Sequence, residues 1–444
     1  VDDLRRSTIR LVRRRILWFM LIPCIFNSID RTNVGYAALQ MNDQLGFSPV
    51  IFGFGVSMFF VGYSIFQIPN SLAFERFGVR QFLAVTLVIW GVVGAGMALI
   101  HDPMSFYVMR FLIGCAEAGF AGAVIYLFGS WMPHESRARA TAVNTLAISL
   151  TAIFSGPISG WLIEHPVGGL AGWQWMFLIE GAPAALIGIV IWFYLPNNPD
   201  EATFLSPEQR SWLNAELAND QAQIKRHGAS TFRAAMTNLR VWLLVGVWFA
   251  VLLGFYAITY WLPLAIKQVG SAGLSDVEIG ALSSLPWIGA MIGLFANTWH
   301  SDRTRERFWH LGGAMMLVAF GLFFAFSVSN PWLSLLGLVF TGVGLGGAHG
   351  VFWTVPMTFL TGAAAAGGYA LLNLFGNFSG FFGSSIIGVI RQETGSFTMA
   401  LYAVALVTVL GAALLIPIYF ISAAKGRKDA QTDKVAEANP LGGN

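Results

Sequence analysis

Charge is what this sequence has least of. Only 11% of its 444 residues are Asp, Glu, Lys or Arg, against about a quarter in a soluble domain. Most of the chain therefore has no water to face, which excludes an ordinary soluble globule. The net charge of +3 gives no basic surface for nucleic acid, and none is expected as a partner. Cysteine is as scarce, with Cys24 and Cys115 alone. Both lie in apolar runs and read as small apolar residues, not as a disulfide or a thiolate metal site. No cluster of His, Cys and acids has metal spacing. No Ser–His–Asp arrangement and no phosphate loop is readable. Neither an enzyme nor a cofactor protein is expected.

Long apolar runs are what the chain has. Residues 16–40 hold two charges, and residues 82–100 and 397–423 hold none. About 20 apolar residues in a helix cross the hydrocarbon core. The pattern predicts an all-α membrane protein with twelve spans at 16–38, 49–70, 81–100, 104–130, 140–162, 172–195, 241–266, 277–299, 309–328, 332–358, 364–389 and 397–423. With the N-terminus in the cytoplasm, 22 of the 26 lysines and arginines fall in cytoplasmic segments. The exceptions are Arg31, Arg110, Lys267 and Arg391. The positive-inside rule thus places both termini in the cytoplasm, and a multi-pass protein of the inner (plasma) membrane is expected. The first span is too long and too charged for a cleaved signal peptide.

The charged stretch at 196–240 divides the chain. It predicts a cytoplasmic tail (1–15), a first six-helix bundle (16–195), a cytoplasmic linker with some amphipathic helix (196–240), a second bundle (241–423) and a C-terminal tail (424–444). FERFGVR (74–80) and HSDRTRERFWH (300–310) occupy matching short loops, each with an acid beside arginine. That is the mark of a duplicated six-helix unit, giving two pseudosymmetric bundles. Glu75, Arg76 and Arg80, with Asp302, Arg303 and Arg305, are the expected cytoplasmic gate.

An ionisable group at mid-membrane costs at least ~2.5 kcal/mol on insertion scales and persists when paired, hydrated or useful. The fourth span reads MRFLIGCAEAGFAG (109–122). Arg110 and Glu117 share one helix face, about 10 Å apart along the axis, beside the small residues Gly114, Ala118 and Ala121. The first span reads CIFNSIDRTNVGY (24–36). There Asn27, Asp30 and Asn33 form a polar stripe, and Arg31 points about 100° away from Asp30. Arg31–Glu117 and Asp30–Arg110 pairings are both open. Arginine is the natural anchor for a carboxylate because it forks and stays charged. A desolvated carboxylate beside it can change protonation as an anion arrives or leaves. A pair of inert ion bridges is the competing reading, and buried pairs are a poor source of stability. Glu180 in the sixth span reads as a structural hydrogen-bonding acid.

GVGLGG (342–347) matches a dinucleotide fingerprint in letters only. It follows no strand, and no acid comes after it until Glu393. Its glycines recur every fourth residue through Gly350, which reads as helix packing, as do Gly376 and Gly380. His349 reads as a packing residue before a proton carrier. Tyr63, Tyr256, Tyr260, Trp353, Thr354, Asn373, Asn377, Asn144, Thr145 and Ser149 are polar groups able to line a cavity.

The motifs DRTN (30–33), GCAEAGF (114–120), SWMP with ESRARA (130–140), GWQWMFLIEGAPA (172–184), SDRTRERFWH (301–310) and GVFWTVPMTFLTGAAAAGGYALLNLFGN (350–377) resemble the anion:cation symporter family of the major facilitator superfamily. The likeness runs from about Arg13 to Ala423. It is nearest the tartrate, hydroxyphenylacetate and phthalate branch, and more distant from the galactonate carrier. The resemblance implies twelve helices, alternating access and proton-driven uptake of a small organic anion by a monomer in the lipid bilayer. It implies proton coupling at Asp30 and Glu117. Arg31 and Arg110 would serve the anion or those acids, and Tyr63, Trp353 and Asn377 match cavity positions. Tyr256 joins them as a substrate-binding candidate. The proton is the coupling ion, with no cofactor. Two departures stand out. Ser71 replaces a usual glycine and Glu75 an aspartate in the first gate loop, and Ile148 lies where sugar-acid carriers show an amide. The second favours a smaller or more apolar acid. An exchanger or facilitator without protons, and a sensor that binds without transporting, are the alternatives.

Overall fold

The chain is seen in a computed structural model that describes residues 2–226, 236–270, 273–357 and 362–421. The tail 424–444 and part of the linker, 227–235, lie outside these. Ten helices among the described residues are long and apolar enough to cross a bilayer. Trp18–Leu45 and His134–Glu164, of 28 and 31 residues, complete twelve. In chain order the spans are α1 Trp18–Leu45, α2 Pro49–Phe77, α3 Val79–Leu99, α4 Pro103–Trp131, α5 His134–Glu164, α6 Gly172–Tyr194, α7 Leu239–Val269, α8 Asp276–Thr304, α9 Phe308–Ser327, α10 Pro331–Met357, α11 Gly362–Thr394 and α12 Phe397–Ile421.

Local chemistry starts these helices at one end of the molecule. Ser48, Asp102, Ser275, Asn330 and Ser396 each cap a first turn through a side-chain oxygen. Proline follows directly at 49, 103 and 331, where its missing N–H costs nothing. The opposite end carries FERFGVR, SDRTRER and the linker, and is called the basic end below. There the N-terminal stretch is not a bare tail. It forms a helix, Asp2–Val12, and a π-helical turn, Arg13–Leu17. The linker holds a helix at Pro207–Arg226. The first span also runs past residue 38 to Leu45, stopped by Gly46 in the left-handed region at φ 65°. Hydropathy ended the span where the apolar run ended, but hydrogen bonding carries the helix on.

The packing repeats. α2 lies on α4 as α8 lies on α10, α3 on α6 as α9 on α12, and α1 on α5 as α7 on α11. Between the halves, α2 meets α11, α5 meets α8 and α1 meets α7. Exchanging the halves maps the first two contacts onto each other and the third onto itself. The glycines of the dinucleotide-like stretch serve this packing. A Cβ on Gly342 would sit 1.8 Å from the Pro286 carbonyl oxygen, and one on Gly346 1.7 Å from that of Ala290. Only glycine lets α10 lie this close to α8.

The halves are sealed at the end away from the basic loops. Gly156 of α5 and Gly280 of α8 meet backbone to backbone. Gln40 donates to Asp276 at 3.2 Å, the Val277 amide to Glu164 at 2.8 Å, and Lys267 to the Leu39 carbonyl at 2.9 Å. Ser57 of α2 donates to the Phe381 carbonyl of α11 at 2.8 Å.

Candidate functional site

The polar stripe of α1 divides its work between two neighbours. Arg31 Nε donates to Glu117 Oε2 of α4 at 3.0 Å, and Asn27 Nδ2 donates to the same oxygen at 3.0 Å. Glu117 Oε1 is buried without a partner. Asp30 turns the other way. Its Oδ1 accepts from Asn33 at 2.9 Å, and its Oδ2 accepts from the indole N–H of Trp90 on α3. Of the two pairings left open by the sequence, Arg31–Glu117 forms. Arg110 makes no ion pair with Asp30.

The arginines are not equivalent. The Arg31 side chain is 25% exposed, whereas Arg110 is 1% exposed. Both lie over the Phe59 ring of α2, at 5.4 and 5.0 Å from its centre. Arg31 also lies 5.1 Å from the Tyr63 ring. Cation–π contacts hold a desolvated guanidinium, but they satisfy no N–H. Arg110 Nε and Nη2 have no hydrogen-bond partner. The structure therefore separates two residues that the sequence grouped together: Arg31 is partly exposed, and Arg110 is a buried charge.

Across the molecular centre, the second half answers with rings. Tyr256 donates to Asn377 Oδ1 at 3.0 Å. Phe60 of α2 lies edge-on to Tyr256 at 4.7 Å and to Tyr260 at 6.0 Å, which brings Tyr63, Tyr256 and Asn377 into one neighbourhood with Arg31. Trp353 belongs to a neighbouring group. It packs at 5.0 Å on Trp248, which lies 5.1 Å from His349. A cavity of about 680 Å³ runs from His349 and Trp353 past Ile148, Phe255, Trp287 and Trp299 to Asp302 near the basic end. Its wall is mostly apolar and aromatic, and Ile148 stands on it as an apolar group.

The expected gate residues lie around the turns from α2 to α3 and from α8 to α9, where several of them have local partners. No ion pair joins Glu75, Arg76 or Arg80 to Asp302, Arg303 or Arg305. Arg80 pairs with Glu201 of the linker at 3.6 Å, and Asp302 with Arg307 at 2.6 Å. Arg76 lies over Phe77 and Arg303 over Trp299. In the turn between α8 and α9, partial burial pushes Glu306 up. The amides of Trp309 and His310 and the His310 ring outweigh that and hold its carboxyl below the usual range. Glu180 accepts from Ser159 at 2.6 Å, the hydrogen-bonding role read for it. The side chains of Asn144, Thr145 and Ser149 lie outside those described.

Three contributors escaped the sequence. Trp90 binds Asp30 from a span with no charge to advertise it. Phe59 is one phenylalanine of 37. Asn70 reaches α4 from the gate end of α2, donating to the carbonyls of Cys115 at 3.0 Å and of Ala118. The one available signal was the amide of Asn70 itself, among the polar residues at the basic end of α2.

The profile of the Major Facilitator Superfamily matches residues 20–384. Over 414 residues the chain is 40% identical to a putative tartrate transporter from Agrobacterium vitis, covering 93% of this chain and 91% of that one. Over 431 residues it is 36% identical to a quinolone resistance transporter from Acinetobacter baumannii, covering 97% and 98%. A solved bacterial homolog of the human lysosomal transporter Spinster, inward-facing and unoccupied, shares the fold with a TM-score of 0.73 at 16% identity, covering 94% of this chain and 98% of that one. Twelve spans in two related halves, a charged centre and relatives matched nearly end to end lead to one assignment: the chain is a multi-pass membrane transporter, not an enzyme, and belongs to the Major Facilitator Superfamily.

Proposed function

We propose that this transporter carries a small organic anion, a carboxylate, into the cell together with protons, by alternating access in the inner membrane. The observation that carries the reading is the Arg31–Glu117 pair at 3.0 Å, with Arg31 partly open and Glu117 wholly enclosed. Glu117 is held by the Nε edge of the guanidinium alone. A substrate carboxylate that forks onto that edge displaces Glu117. Stripping a buried charge of its partner costs about 3–5 kcal/mol, or about two to four decades of proton affinity. Glu117 relieves that cost by taking a proton. Conversely, a protonated Glu117 frees Arg31 for the anion. Proton and anion binding then reinforce one another, which is what symport requires.

Asp30 is the second proton group, held by Trp90 and Asn33. Arg110 supplies fixed positive charge to both acids. Tyr63, Tyr256 and Asn377 position the substrate, and Trp353 bounds the space its body occupies. The basic end is cytoplasmic, and the open cavity there is the release route. When the bundles rock, Glu75–Arg76–Arg80 and Asp302–Arg303–Arg305 close that end. The tartrate in the name of one relative, a putative tartrate transporter, is the kind of anion the site fits in charge, and the apolar cavity wall favours acids with fewer hydroxyls.

The test is uptake by proteoliposomes under an imposed pH gradient. A thermal-shift screen of mono- and dicarboxylates chooses the radiolabelled acid. Accumulation above equilibrium, acid outside, is expected. Uptake indifferent to the gradient would mean an exchanger or facilitator. Binding with no flux would mean a sensor.

A further inference from the structure

α4 is not one continuous helix. Its first segment, Pro103–Glu117, ends on the very residue that pairs with Arg31, and a second begins at Phe120. Between them Ala118 is extended at ψ 128°, and Gly119 is left-handed at φ 89°. An interruption inside a membrane frees carbonyls that water cannot reach. Ala118 N–H closes on Gly114 at 3.0 Å. The carbonyls of Cys115 and Ala118 are both met by one group from another helix, the Asn70 amide of α2. The fit leaves no slack, because a Cβ on Gly119 would sit 2.8 Å from the Asn70 Cβ.

A helix C-terminus carries a partial negative charge. Glu117 stands on that terminus, where a carboxylate is least favoured. The groups facing Glu117 are Asp30 and Arg31 of α1, Arg110 of its own helix, and Tyr256 and Tyr260 of α7. None of them touches the exposed carbonyls. The Asn70 N–H dipoles do.

We propose that Asn70 is a positioning residue for the charged site: its amide closes the interruption in α4 directly behind Glu117, and that closure sets how tightly Glu117 holds a proton. The proposal rests on Glu117 being a proton carrier. The pseudosymmetric half supplies an internal control. Asn297 stands as far into α8 as Asn70 stands into α2, and it donates to the Gly347 carbonyl of α10 at 3.0 Å and to that of His310 at 3.2 Å. The acid beside that contact is Glu306, on the amide and ring of His310, and not Glu117. Loss of Asn297 removes a comparable stitch without touching the environment of Glu117.

The experiment is a pH titration of the reconstituted protein by infrared difference spectroscopy, following the protonated carboxyl band that Glu117→Gln removes. It needs no substrate. Asn70→Leu bares the two carbonyls, so the protonated band persists to higher pH, by about one unit. Asn70→Ser, which loses reach without adding bulk, moves it the same way and serves if the leucine variant is not recovered. Asn297→Leu leaves the midpoint in place. A midpoint unmoved in Asn70→Leu or Asn70→Ser overturns the proposal, as does an equal shift in Asn297→Leu. If no band lost in Glu117→Gln titrates in the unmodified protein, the proton-carrier reading falls and takes the proposal with it.

Discussion

The two halves share a scaffold and differ in what they do with it. In each, the second span lies on the fourth, and an asparagine at the same depth donates to two backbone carbonyls, one or both of them on the fourth span. In each, the fourth span is broken, at Ala118–Gly119 and at Trp353. Beside the first break stand Glu117, Arg31 and Arg110. Beside the second stand Trp353, Trp248 and His349, with Thr354 closing the Val351 carbonyl itself at 2.6 Å. One half is built to hold charge and the other to hold a surface. An anion with a carbon body, the cargo proposed above, would use both.

The predictions break or sharpen that division. The largest effect belongs to the charged half. Glu117→Gln is expected to end gradient-driven accumulation while counterflow of the same acid continues. Accumulation at the normal level in this variant would remove Glu117 from the coupling site. Arg31→Ala comes next, with a loss of roughly a hundredfold in affinity for the transported acid, the cost of an unpaired carboxylate. Equal losses in Arg31→Ala and Arg31→Lys would show that the fork is not what matters. The third effect is on stability. Gly346→Ala drives a methyl against the Ala290 carbonyl, where the Cβ would stand 1.7 Å away, and overpacking costs ~1–3 kcal/mol. A lowered thermal midpoint in detergent is expected, and an unchanged one would mean that α8 and α10 have room to part. The smallest effect lies in the aromatic half. Tyr256→Phe removes one hydrogen bond, to Asn377, worth ~0.5–1.5 kcal/mol. Affinity should weaken by about two- to tenfold with the pH dependence unmoved. A change in pH dependence would place part of the proton chemistry on the wrong side of the molecule.

What could be read from the sequence was periodic or anomalous. The twelve apolar runs, the repeated loops and the glycines of α10 are patterns along one chain, and the structure uses them as such. The charges deep within the spans, Asp30, Arg31, Arg110, Glu117 and Glu180, are anomalies, visible because the sequence around them is apolar. The sequence could not choose their partners, since pairing depends on the rotation of α1 against α3 and α4. That rotation gives Asp30 to Trp90 and Arg31 to Glu117. The small residues at 114, 118 and 121 read as a packing stripe along one helix, but the structure breaks that helix at 118–119. A glycine among apolar neighbours looks the same whether it packs or breaks, and only the distant Asn70 decides. The charged residues at 75–80 and 302–305 were recognisable by their loops, but which partners they take, Glu201 for Arg80 and Arg307 for Asp302, was not.

The central claim is that one site binds proton and anion together. Proteoliposomes loaded with a trapped pH dye test it directly, on addition of the acid selected by thermal shift, with protein-free vesicles as the baseline. The account predicts internal acidification with the unmodified protein, beyond the baseline, and none with Glu117→Gln. Entry of the radiolabelled acid without any acidification would contradict it.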